Sequence, residues 1–167
     1  MIISGSIYSF PKEIKLLIAS FLVILSIGFF LGLSFVNETT NANPEGIETQ
    51  YLGNEHIEDA PVMKFKKSER EILTLVHNHM LSLSVIFFML ALILATTDTN
   101  KRFKLFLMVE PFASILLTFG GIYILWTGVL WFKYIIMLSG ILMTFSFTAS
   151  VLIILKQLLK KQTYSNN

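Results

Sequence analysis

Between Ile72 and Thr97 the chain carries no aspartate, glutamate, lysine or arginine, and Leu, Ile, Val, Phe and Met fill most of its positions. About 20 predominantly apolar residues in a helix cross a hydrocarbon layer about 30 Å thick, so this stretch is long enough to span a bilayer. Its beginning is marked by Ser68-Glu69-Arg70-Glu71, which has the form of a capping box. In that motif the serine side chain accepts from the amide of Glu71, and Glu71 reaches back to the amide of Ser68. Its end is marked by the turn-forming run Thr96-Thr97-Asp98-Thr99-Asn100. The pattern predicts a spanning helix over about 69–97.

Three more apolar segments follow the same logic, at about 14–36, 103–127 and 131–159, with few charges in each. The fold class expected is all-α: an integral membrane bundle of four transmembrane helices in one domain, 1–167, with an external loop at 37–67. Its loop is expected to dock over the outer end of the second span, which would sit at the centre of the bundle. Composition agrees, since 14% of residues are charged and 54% are hydrophobic, whereas soluble domains carry about a quarter charged residues. The rival for the first segment is a cleaved signal peptide flanked by Lys12 and Lys15. Against it, the apolar run exceeds the usual core of about 7–15 residues, and no small-x-small site follows.

Local signals refine the picture. Gly28 and Gly32 form a G-x-x-x-G, which permits close approach of another helix. Pro111 lies inside the third segment, where it either kinks the helix or opens its membrane-embedded part. Tyr123, Trp126, Trp131 and Tyr134 cluster around a tight hairpin, as expected of an interfacial aromatic belt.

Lysines and arginines near the span ends set the expected orientation. Lys12, Lys15, Lys101, Arg102, Lys104, Lys156, Lys160 and Lys161 fall on one side, against Lys64, Lys66, Lys67, Arg70 and Lys133 on the other. Basic residues favour the cytoplasm, so the expectation is a multi-pass protein with both termini cytoplasmic and the 37–67 loop outside.

Several chemistries are excluded. There are 0 cysteines, which removes disulfides, thiolate metal sites, iron–sulfur clusters and covalent haem attachment. A net charge of +2 without a basic groove argues against a nucleic-acid partner. No phosphate-binding glycine loop, nucleophile elbow or zinc-protease helix motif occurs.

Two sites stand out for chemistry. At 100° per residue, His77 shares a stripe with Ser84, Ala91 and Ala95, a small-residue face expected to pack inward. His79 lies about 200° round, with Ile86, Leu90 and Ile93, a face that suits lipid, so its ring is expected near the outer headgroups or under the loop. Glu110 shares a face with Ser114, Leu117 and Gly121 and is expected to look inward. Ionisable groups within a membrane bundle are functional candidates by default.

Three roles follow from these residues. His77 and His79 are candidate cofactor ligands, for a b-type haem or a divalent metal, although no other span supplies a second histidine for haem. Glu55, His56, Glu58 and Asp59 of the loop, folded toward His77, form a candidate metal cluster of imidazole and carboxylate donors. Glu110, with His77, is a candidate proton path. The alternative to each is a structural histidine, a solvated acidic loop and an interfacial carboxylate near Lys104 or Arg102.

The wording ANPEGIETQYLGNE, followed by MKFKKSEREILTLVHNHMLSLSVIFF, resembles a group of small bacterial four-helix membrane proteins of uncharacterised activity. In that group a Gly-Ile…Tyr-x-Gly-Asn loop precedes a His-x-His helix. The resemblance implies a bacterial inner-membrane protein and no activity, and it draws attention to Gly46, Tyr51, Gly53, Asn54, Ser68, Glu71, His77 and His79. The functional expectation is a non-enzymatic, lipid-embedded component that binds a metal or cofactor at its outer His/acid cluster. The alternatives are a purely structural or accessory partner of other membrane subunits, or a small proton or ion pathway.

Overall fold

A computed structural model describes residues 4–55 and 62–160. Among these the ordered elements are helical, and four stretches are long and apolar enough to cross a membrane: Lys12–Thr40, Glu69–Ala95, Lys101–Trp126 and Phe132–Leu158. We label the helices α1 (Lys12–Thr40), α2 (Pro44–Leu52), α3 (Glu69–Ala95), α4 (Lys101–Ile115), α5 (Gly121–Trp126) and α6 (Phe132–Leu158). A wide π turn at Leu116–Gly120 joins α4 to α5 within the third span. Pro111 is buried inside α4 and the helix continues through it. It therefore neither starts the span nor ends it.

The hub of the bundle is α6, not the span carrying the histidines. It packs against α1, α2, α3, α4 and α5. Within the most apolar stretch of each span, 44% of the third and 39% of the fourth are buried, against 22% of α3 and 11% of α1. The expectation of a central second span is thereby corrected. The reason lies in α6 itself, where Ser139, Met143, Ser146, Ser150, Ile154 and Gln157 fall on one buried stripe. Its small serines let α4 approach closely, which is how helices associate where no hydrophobic force separates protein from lipid.

Large rings fill the centre. Phe147 is fully buried and stacks on Phe29 of α1, with centroids 3.9 Å apart and planes 8° apart. Phe87 of α3 meets Phe147 edge-on at 6.2 Å. The three rings tie α1, α3 and α6 together. Elsewhere α1 touches little: Gly28 and Gly32 have no atom within 4 Å of an added Cβ, so the G-x-x-x-G faces outward.

The segment 37–67 is structured where it is described. Asn43 caps α2 through its side chain, and Pro44 occupies the first turn. Helix α2 lies over α1, α5 and α6, not over the end of α3 as expected. Lys133 of α6 accounts for this, with its Nζ 2.7 Å from Glu48 and 3.6 Å from Glu45. Gly46 also sits so close to the Thr40 carbonyl that no side chain fits between them. Asn54 then pairs with the returning strand of chain: its Nδ2 donates to Val62 O at 3.0 Å, and its Oδ1 accepts from Lys64 N at 2.6 Å. Gly53, at φ +82°, turns the backbone beside Lys66. Burial of Tyr51 pushes its hydroxyl up to about 12.

At the opposite end, Ile7 is fully buried and its amide donates to Thr96 O at 3.3 Å. Lys104, also buried, donates to Ser4 Oγ, to Ala95 O and to Thr97 O. A cation at the carbonyl-rich C-terminus of α3 offsets the negative end of the helix dipole. Gln157 of α6 closes this end by bonding both the amide and the carbonyl of Asp98.

Candidate functional site

The first candidate is the N-terminal half of α3. Its capping box forms as expected: Ser68 Oγ accepts from Glu71 N at 3.3 Å, and Glu71 Oε2 accepts from Ser68 N at 2.8 Å. Inward positions from there are Ile72, Leu75, Val76, Met80, Leu83, Phe87, Leu90 and Leu94, a stripe of large apolar residues. On the small-residue stripe Ser84, Ala91 and Ala95 are half-buried, and His77 at its start is exposed.

Both histidines lie at exposed positions of α3. His77, expected inward, is exposed and makes no hydrogen bond among the described residues. His79, expected near the headgroups or under the loop, is exposed as well, and its ring stacks on Phe119 of the third span, with centroids 4.7 Å apart and planes 21° apart. Its Nδ1 donates to Leu75 O at 2.9 Å, which leaves Nε2 as the acceptor in the neutral ring. Because the two rings leave the helix about 200° apart, one ion cannot be ligated by both.

Around His77 the surface is polar. Arg70, Glu71, Thr74, Asn78 and Ser82 are exposed on the same N-terminal half of α3. Arg70, Glu71, Thr74, Leu75, Asn78 and His79 line an open groove of about 490 Å³. Ser82 returns its hydroxyl to Asn78 O at 2.7 Å, as serines in membrane helices do. The side chains of Thr74, His77 and Asn78 have no hydrogen-bond partner among the described residues. Asn78 was not singled out from the sequence, although an amide within an apolar span is itself a signal.

Of the loop ligands expected for a metal, Glu55 is exposed and its carboxylate accepts from Lys66 N at 3.0 Å. His56, Glu58 and Asp59 lie outside the described residues. Among the described residues no three His, Asp or Glu side chains come together in a way that could hold a metal ion.

The second candidate is Glu110. It is half-buried and accepts from Ser114 on its own helix and from Ser146 on α6. Both serines are buried. Further along the seam between the third span and α6, Thr118 inside the π turn and Ser139 share a hydrogen bond of 2.7 Å. Ser150 is buried on the other side of Ser146. Lys104 and Arg102 are not partners of Glu110, Lys104 being engaged at the end of α3. His77 and Glu110 lie on opposite halves of the bundle, roughly 10–15 Å apart along its axis by helix rise.

A chain of four apolar spans, with the segment between the first two strapped to α6, defines a small multi-pass membrane protein in contact with the lipid bilayer. The chain belongs to the Aq_1264_TM family, described as a transmembrane helical domain, whose profile matches residues 41–165. The match begins just after α1 ends at Thr40, so it takes in α2 to α6 and leaves out the least buried span. No curated protein and no solved structure matches the chain.

Proposed function

We propose that this chain is a non-enzymatic accessory component of the bacterial inner membrane, acting by lateral association through the outer half of α3. The observation that carries this is the exposure of Thr74, His77 and Asn78 on a spanning helix, without hydrogen-bond partners among the described residues. An unpaired amide or imidazole facing hydrocarbon is costly, and a neighbouring helix with polar groups removes that cost. The balance of basic residues supports an orientation with the Lys12, Lys101 and Lys156 ends in the cytoplasm and α2 outside. A photo-activated residue at position 78, irradiated in native membranes, tests the reading. Capture of a protein supports it, and lipid adducts alone overturn it.

A cofactor form of the same reading gives His77 and His79 to a b-type haem or a divalent metal, with Glu55, His56, Glu58 and Asp59 as loop ligands. Its support is weaker, given the divergent rings and the engagement of Glu55 with Lys66. A Soret band or stoichiometric metal in the purified protein would restore it.

A second reading is favoured by Glu110, a carboxylate held by two serine hydroxyls in a serine-lined seam. Here the protein carries protons or ions across the bundle. Proteoliposomes with a pH-sensitive dye test it: flux abolished by Glu110→Gln supports conduction, and equal rates in protein-free vesicles sink it.

A further inference from the structure

The exposed face of α3 has an order beyond its polarity. Glu71, Thr74, Asn78, Leu81, Val85, Phe88 and Leu92 are all exposed, and they recur at alternating intervals of three and four. That is the 3.5-residue repeat by which two helices interlock side by side. Its last four side chains, Leu81, Val85, Phe88 and Leu92, are large and apolar, and its first three, Glu71, Thr74 and Asn78, are polar, with Asn78 the one amide among them. One asparagine in such a seam fixes register and partner number, because its amide is at once donor and acceptor and pairs with its own copy.

We infer that the occupant of this face is the α3 of a second copy of this chain, in a parallel pair about a two-fold axis normal to the membrane. The inference rests on the reading of α3 as an association surface and names its partner. The two-fold axis brings Asn78 against Asn78, where each amide can donate to the other. At the rim, exposed Arg70 is placed to meet the second copy's Glu71, whose carboxylate also holds its own cap at Ser68 and an ion pair with Lys67 at 3.4 Å. His77 flanks the asparagine pair, where its ring nitrogens find a polar neighbour instead of acyl chains. Leu81, Val85, Phe88 and Leu92 then continue the contact toward the cytoplasmic side. The surface is self-complementary in charge, hydrogen bonding and period, which is what an isologous interface requires.

The absence of cysteine makes the test direct. Single cysteines are introduced along the full-length chain at each position from 73 to 92, and native membranes are treated with an oxidant. Disulfide-linked dimers are expected to peak at 74, 78, 81, 85 and 88, and to be weak at 76, 83 and 87, which face inward. In fluorescence-based association measurements in lipid, Asn78→Val should weaken self-association roughly ten-fold. Asn78→Gln, which keeps the amide, should restore most of it, and Gly28→Leu with Gly32→Leu on α1 should leave it unchanged.

Three results overturn the inference: no periodicity in the cysteine series, maxima on another face, or loss of association through the α1 glycines alone. If position 78 captures only a different protein, the second copy is excluded while the accessory reading stands. If it captures only lipid, both fall.

Discussion

The indole N–H of Trp126, at the C-terminal end of α5, donates to the backbone carbonyl of Lys67 at 2.8 Å, just before the cap of α3. The Nζ of Lys66 sits 4.9 Å from the centroid of the same ring. A residue that sequence assigns to an interfacial aromatic belt thus also clamps the loop to the bundle. Amphipathic rings suit this level of the membrane because one edge is apolar and the other finds a polar partner.

Replacing Trp126 by Phe keeps a ring and removes the donor. The expected cost is about 1 kcal/mol, the usual net value of one hydrogen bond. Protease cleavage within 62–67 should accelerate in the variant, because the carbonyl of Lys67 loses its tether. Unchanged cleavage would show that the loop is held elsewhere, by Asn54 and Lys133 alone.

What could be read beforehand follows a physical line. Hydropathy and length set the four spans, and Ser68 and Glu71 set the start of α3, because both depend only on local sequence. Facing was less legible. The rule that small residues pack inward describes α6, where Ser139, Ser146 and Ser150 are buried, better than α3, where Phe87, Leu90 and Leu94 are buried and Ser84, Ala91 and Ala95 only half-buried. In lipid, large apolar residues suit either side of a helix, so periodicity alone does not choose between them. The seat of α2 was not legible at all, since it depends on Lys133 reaching Glu48, 85 positions away in the chain.

The loop glycines separate sharply from those of α1. Gly53→Ala would force a Cβ to within 2.6 Å of Lys66 N at a left-handed backbone, and Gly46→Ala would drive one into the Thr40 carbonyl. Each is expected to destabilise the protein by about 2 kcal/mol or more, through strain and overpacking. Gly28→Ala and Gly32→Ala meet open space and should be neutral, or stabilising by up to about 1 kcal/mol through helix propensity. Thermal unfolding in one detergent orders the four variants. Equal midpoints for Gly46→Ala and Gly28→Ala would refute the close approach of α1 and α2.

The Glu110 contact lends itself to a double-mutant cycle. Ser146→Ala removes a fully buried hydroxyl and leaves one carboxylate oxygen short of a donor, at an expected cost of about 1–3 kcal/mol. Glu110→Met with Ser146→Ala removes both partners and should cost less than Ser146→Ala alone. Simple additivity, measured by reversible unfolding in mixed micelles, would show that carboxylate and hydroxyl are not coupled.

Tyr51 supplies a pH dependence whose sign is fixed by burial. Its hydroxyl is pushed from 10.0 up to about 12 in the folded protein, so the folded state prefers the neutral phenol. The contribution is therefore fully present below pH 10, where both states hold the proton. It is lost as pH rises through the window from about 10 to about 12, where the unfolded chain ionises first. Across that window the loss is roughly 2–3 kcal/mol. Tyr51→Phe cannot ionise, so its stability should decline less than that of the wild type between pH 10 and 12, while the two run parallel below pH 9. Parallel curves throughout the alkaline range would place Tyr51 in contact with water and would undo the packed arrangement of α2 against α5 and α6.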